Sequence, residues 1–152
     1  MIVDQSFLEL VRLGVRKPHD PRIISTLRKT DATLRSKTGP ANYFYRYPFD
    51  GYGERLPGGS PPGDGHLWPL LSGERGVYAV LAGGDATLYL NAMTAAAGDQ
   101  HLIPEQVWES NGQPTGSARP LVWAHAEYVI LAMAVQTGVV ADSPNAPPLP
   151  SR

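Results

Sequence analysis

One segment constrains the fold more than any other: residues 120–136, PLVWAHAEYVILAMAVQ. Its apolar side chains, from Leu121 through Trp123, Val129 and Leu131 to Val135, lie on most faces of a helical wheel. A helix that apolar is normally buried all round, so the segment needs neighbours on several sides. The 16 Gly and 15 Pro mark off candidate neighbours, because they cluster in a few stretches and leave apolar runs of helical period between them. Residues 4–15 place Phe7, Leu8, Leu10, Val11 and Val15 at helical spacing before Gly14 and Pro18, which predicts an amphipathic helix. Asp20-Pro21 reads as an N-cap with a first-turn proline, and Ile23, Ile24, Leu27 and Leu34 continue a second helix.

LWPLLSGERGVYAVLAGG, residues 67–84, predicts a third helix, with Pro69 near its first turn and Gly83-Gly84 past its end. The internal Gly73 and Gly76 lower helix propensity but allow another helix to approach closely. Asp85 caps a fourth run that ends at Gly98. Almost nothing joins these two helices, so they should lie antiparallel. Residues 38–64 and 99–117 read as long Gly/Pro/aromatic loops, and the proline-rich residues 139–152 as a disordered tail. The expected class is all-α, with about five helices and no run of strands. An odd helix count and a final helix needing several neighbours point to a fragment of a larger helical domain.

Composition removes several functions. Net charge is -1 and no Lys/Arg run occurs, so there is no basic field for a phosphate backbone and no nucleic-acid partner is expected. No run of about 18 apolar residues exists, and no membrane partner or targeting segment is expected; localisation stays unassigned. With zero Cys, and with His19, His66, His101 and His125 outside any H-E-x-x-H pattern, no metal or cofactor is expected. The HAE at 125–127 lacks the cysteines that would complete a deaminase signature. LPGGSPPGDGHL lacks the Gly-Lys-Ser/Thr ending of a phosphate loop, and no G-x-S-x-G elbow is present.

The two loops instead combine flat rings with carboxylates and one guanidinium: Tyr43 to Tyr47 with Arg46, then Asp50, Tyr52, Glu54 and Trp68, then Glu105, Gln106, Trp108 and Glu109. A pyranose packs its apolar face on an aromatic ring and gives its hydroxyls to charged planar partners. Hydrolysis of a glycosidic bond needs two carboxyl groups. Composition alone is equally compatible with aromatics that anchor loops and with solvated acids, Glu105 being a first-turn carboxylate after Pro104.

The ordered strings RYPFDGYGE, LWPLLSGERG, YLNAM, IPEQVW and PTGSARPLVWAHAEY resemble the C-terminal portion of the catalytic domain of glycoside hydrolase family 15, the glucoamylases and glucodextranases of prokaryotic type. The resemblance covers almost the whole chain, with VDQSFLELVRLGVR similar to the helix preceding those motifs. It implies that residues 1–138 are part of an (α/α)6 barrel, two concentric rings of six helices, here incomplete. It implies an inverting, exo-acting enzyme that releases β-glucose from non-reducing ends of α-glucans or maltooligosaccharides. Glu105, in the PEQ motif, matches the family's general base. Arg46 matches the arginine that grips the terminal glucose, with Asp50 and Tyr52 in the same motif, and Trp68 and Trp123 match tryptophans lining the sugar pocket. Nothing here matches the motif of the family's general acid. The chain alone is therefore expected to be inactive, and the N-terminal half of the barrel is an implied partner. A non-catalytic helical fragment or carbohydrate-binding remnant is the alternative.

Overall fold

The computed structural model describes residues 2–37, 42–53, 65–146 and 148. Among them the regular structure is helical: α1 Glu9–Arg12, α2 Pro21–Leu34, α3 Pro69–Leu81, α4 Thr87–Ala97 and α5 Val122–Thr137, with 3-10 turns at Ser6–Leu8 and Gly98–Gln100. The expected all-α class is what forms.

Local chemistry sets most of the boundaries. Asp20 caps α2 by accepting from the Arg22 amide at 2.9 Å, and Pro21 occupies the first helical position. Asp85 accepts from the Thr87 amide at 2.8 Å and starts α4, and left-handed Gly138 ends α5. The first helix is much shorter than residues 4–15. Asp4 takes the Ser6 amide at 2.8 Å, so the chain enters as a 3-10 turn. At the other end, the Gly14 and Arg16 amides turn back to the Val11 and Leu10 carbonyls at 3.0 and 2.8 Å. The periodicity was real but local bonds at both ends outcompete its extension.

α3 is the centre of the molecule and packs against both α4 and α5. Gly73 and Gly76 make this possible. A Cβ on Gly76 would stand 2.7 Å from a Leu131 methyl and 3.0 Å from the Tyr89 Cβ; one on Gly73 would stand 2.5 Å from Glu127 Cγ. The core between these helices holds Leu70, Val77, Tyr89, Met93, Leu131 and Ala134. A smaller cluster of Leu8, Val11, Ile23 and Tyr78 seats α1 and α2 on α3. Arg75 pairs with Asp31 at 3.1 Å, and the Tyr78 hydroxyl donates to the Pro18 carbonyl at 2.9 Å.

The expectation that the last helix is buried all round is corrected. Ala124, Glu127, Leu131 and Ala134 are buried, but Val122, Trp123, Val129 and Met133 are 78, 60, 55 and 37% exposed. The first set faces α3 and α4. No described element covers the second. Residues 139–146 continue beyond α5, with Val140 in the main core and Asp142 paired with Arg12. Residues 147 and 149–152 of the proline-rich tail, and 38–41 and 54–64 of the first long loop, lie outside the described residues.

Candidate active site

The described residues of the loops contain no strand, yet isolated antiparallel bridges tie them into one unit: Arg35 to Phe44, Phe44 to Trp68, Leu67 to Val107, and Val107 to Pro114. The Trp68 amide donates to the Phe44 carbonyl at 2.9 Å, and the Val107 amide to the Leu67 carbonyl at 2.9 Å. Segments as far apart in sequence as Leu67 and Val107 are thereby laid side by side, which a free chain would achieve only at an entropic cost. Two buried anchors fix the unit on the helices. The Tyr43 hydroxyl donates to the Ala92 carbonyl at 2.6 Å, and the Ser72 hydroxyl to the Asn42 carbonyl at 2.7 Å. Tyr43 and Phe44 are 2 and 0% exposed, so these two aromatics serve the fold. The rings that follow are available to a site.

Arg46 is held by a two-pronged ion pair. Its Nε and Nη2 donate to the two Asp50 oxygens, each at 2.8 Å, and Asp50 is buried. Hydrogen bonding to Asp50 raises the Arg46 pKa above its ordinary value, against the opposing effect of burial. The guanidinium carbon lies 4.9 Å from the ring centres of Tyr47 and Tyr52 and 5.0 Å from that of Trp68. A cation fixed among three aromatic faces is oriented as well as charged. Asp50 also accepts from the Tyr52 amide at 3.2 Å, so one carboxylate orders both residues.

Tyr52 connects this cluster to Glu105. Its ring packs beside Trp68 with centroids 6.0 Å apart, and its hydroxyl stands 3.4 Å from both Glu105 oxygens. That separation is longer than a good O–H···O bond and leaves both carboxylate oxygens accessible to a third partner. The Glu105 backbone is firmly placed by donation to the Ala118 carbonyl at 2.8 Å. Its neighbour Gln106 is buried, donating its side-chain amide to the Tyr52 carbonyl at 3.1 Å and its backbone amide to the Ser117 hydroxyl at 3.0 Å. Glu105 and Tyr52 line an open cleft of about 1040 Å³, together with His66, Trp108, Glu109 and Ser117. This volume is at the upper end of ordinary ligand pockets.

The structure thus brings together Arg46, Asp50, Tyr52, Trp68 and Glu105. Trp68 is 6% exposed, and its buried Nε1 has no hydrogen-bond partner among the described residues. Trp123 is not brought in: it projects from the first turn of α5, is 60% exposed, and does not line the cleft. Sequence reasoning missed His66, which it weighed only as a metal ligand. Its Nδ1 lies 2.9 Å from a Glu109 oxygen and its ring meets Trp108, a contact between two loops that no local pattern signals. No group of side chains that could hold a metal is found among the described residues, and none of their helices is long and apolar enough to cross a membrane.

Residues 61–133 match the model for glycosyl hydrolases family 15. A glucoamylase from Clostridium sp. (strain G0005) is 53% identical over 148 residues, which are 95% of this chain and 21% of that protein. This chain belongs to family 15. The crystal structure of a bacterial glucoamylase complexed with acarbose superposes with a TM-score of 0.88 at 51% identity, covering 95% of this chain and 22% of that one. A more distant glycosidase structure, 24% identical, shares the fold with a TM-score of 0.69 over 90% of this chain and 36% of that chain. The family 15 chain therefore spans about a fifth of the length of the glucoamylases it matches, and the five helices among its described residues form an incomplete (α/α)6 barrel.

Proposed function

We propose that this chain is part of an inverting, exo-acting α-glucosidase of glucoamylase type, which releases β-glucose from the non-reducing ends of α-glucans with Glu105 as general base. The observation that carries this reading is the Glu105 carboxylate, set on a cleft wall 3.4 Å from the Tyr52 hydroxyl, whose ring lies under the Arg46–Asp50 pair. Arg46, Asp50, Tyr52 and Trp68 then bind substrate. Residues 1–138 belong to the C-terminal part of the catalytic domain. The complex of a relative with acarbose supports an oligosaccharide ligand for this protein.

In this mechanism Glu105 takes a proton from a water molecule, whose oxygen attacks the anomeric carbon on the face opposite the leaving group. A second carboxylic acid protonates the departing oxygen, and the two carboxyl groups of an inverting pair stand roughly 6.5 to 9.5 Å apart. No residue of this chain matches the family's acid motif, so the acid belongs to the remainder of the barrel. General acid–base assistance is worth about 10² to 10⁴ in rate. Glucose release from maltooligosaccharides by the isolated chain should accordingly sit near background; appreciable turnover would overturn the assignment of the acid to another segment. In a full-length relative carrying the same motif, the change corresponding to Glu105→Gln should lower kcat by about 10²- to 10⁴-fold with little change in KM. An unchanged kcat removes Glu105 from the role.

A further inference from the structure

The backbone that leads into Glu105 is pinned group by group. The Leu102 amide donates to the Ala97 carbonyl at 3.3 Å, and the Leu102 carbonyl accepts from Arg119 Nε at 3.0 Å. The Ile103 carbonyl accepts from the Leu121 amide at 2.9 Å. Pro104 has no amide to satisfy, and the Glu105 amide donates to the Ala118 carbonyl at 2.8 Å. The remaining donor of this arm is the Ile103 amide. Ile103 is 2% exposed, and a buried amide needs a partner. It finds one in a side chain, His125 Nε2 on the first turn of α5, at 2.9 Å.

That bond fixes a protonation state. A backbone amide can only donate, so Nε2 presents its lone pair and the imidazole is neutral, with its hydrogen on Nδ1. A second proton would set one N–H against another and remove the bond. Backbone groups and a guanidinium keep their hydrogen-bonding roles across the ordinary pH range, whereas imidazole is the side chain that changes role near neutrality. The other charged and titratable groups on the surrounding elements are engaged elsewhere or lie along the arm. Arg119 is spent on the Leu102 and Ala97 carbonyls, and His101 and Glu105 flank Ile103 in sequence. On α5, Glu127 pairs with Arg12 at 3.0 Å, and the Tyr128 hydroxyl accepts from Thr94 of α4 at 3.3 Å. On α3, Glu74 acts on Glu127, and Arg75 pairs with Asp31. Among the described residues the His125 imidazole makes no ion pair and no other hydrogen bond. No carboxylate therefore compensates an added proton while the arm is in place. His125 is only half-buried, so a proton can reach it from solvent.

We propose that His125 is a positioning residue that anchors the Glu105 arm in its neutral form alone, so that acidification releases the arm and the carboxylate it carries. The proposal rests on the general-base reading for its catalytic consequence, while the anchor itself is measured without turnover. In the ¹⁵N-labelled chain at about pH 8, a scalar coupling should connect the Ile103 amide nitrogen to His125 Nε2 across the hydrogen bond, with the imidazole hydrogen on Nδ1. The coupling should vanish as the imidazole takes its second proton. In a Glu105→Gln background, which removes that side chain's own titration, the backbone amide at position 105 should shift with the same midpoint as His125. Adding His125→Gln, whose side-chain oxygen can accept from Ile103 but takes up no proton, should keep the arm in place and abolish the transition. His125→Leu should lower the exchange protection of the Ile103 amide roughly 2- to 10-fold at about pH 8, and His125→Gln should restore it. The coupling and the titration are read with His125 itself present, so they stand even if a His125 variant does not fold. A hydrogen on Nε2 at about pH 8 overturns the proposal, as does a position-105 amide that ignores the His125 titration or keeps its transition in His125→Gln. Each of these results leaves the general-base reading intact, and an unchanged kcat for Glu105→Gln would remove that reading while leaving the anchor to the coupling measurement.

Discussion

Glu74 is the side chain whose charge the fold opposes most. Burial pushes its carboxyl up to about 7 from 4.5, with nearby Glu127, Glu9 and Asp4 adding to the rise and Arg12 opposing it. Burial also raises Glu127, and outweighs its pairing with Arg12 at 3.0 Å. For Arg12 the balance goes the other way: burial opposes its charge, but Asp142 and Glu127 outweigh that and raise its pKa. A raised carboxyl binds more protons in the folded state than in the unfolded state between about pH 4.5 and 7. Its contribution to stability is therefore complete below 4.5 and is lost as pH rises through 7. Glu74→Gln should flatten this dependence, matching the parent at pH 4 and exceeding it at pH 8 by about 2 kcal/mol once partial exposure is allowed for. Thermal unfolding at the two pH values checks it; equal stability at pH 8 would show that the carboxylate is solvated. None of this was legible in the sequence, where Glu74 lies in a motif, SGERG, whose own residues give no sign of Glu127 53 positions on. Glu105, which lines the cleft, could be singled out because its signal is local, a carboxylate within an ordered motif.

At the scale of elements, helix packing depends on two missing side chains. Replacing Gly76 by Ala gains helix propensity of about 1 kcal/mol, but the added Cβ would stand 2.7 Å from Leu131 and 3.0 Å from the Tyr89 Cβ. Overpacking of that kind costs about 1 to 3 kcal/mol. The net expectation for Gly76→Ala is a loss of about 1 kcal/mol, read as a lower urea midpoint with unchanged slope; a gain would mean that α5 can move away from α3 without penalty. The close approach itself was readable, since two glycines in an otherwise helical run have few other uses. Caps were readable too: Asp20-Pro21 and Asp85 mark starts that the structure keeps. The length of α1 was not, because Asp4 and the Gly14 turn decide it through backbone bonds rather than periodicity. Nor was the bridge from Leu67 to Val107, which brings Trp68, through Tyr52, into one cluster with Glu105. It joins two segments that carry no strand pattern, and only tertiary packing of α3 and α4 brings them into register.

At the scale of the molecule, α5 has two apolar faces and the described residues cover one. Val122, Val129 and Met133 recur along the uncovered side with Trp123 beside them, and burying such side chains is worth about 1.5 to 3 kcal/mol each. The chain spans about a fifth of the glucoamylases it matches, so the expected cover is the rest of the barrel. Joining the upstream part of a full-length relative to this chain should shield Trp123. In a Trp68→Phe, Trp108→Phe background, acrylamide should quench Trp123 strongly in the isolated chain and several-fold less in the joined protein. Quenching that stays high would place the uncovered face on the outside of the barrel. The same measurement decides what Trp123 does, since family resemblance expects it in the sugar pocket while the isolated fold leaves it on a helix surface. Shielding by the added helices alone makes it an interface residue. Further shielding on addition of acarbose makes it part of a pocket that forms only when the barrel is closed.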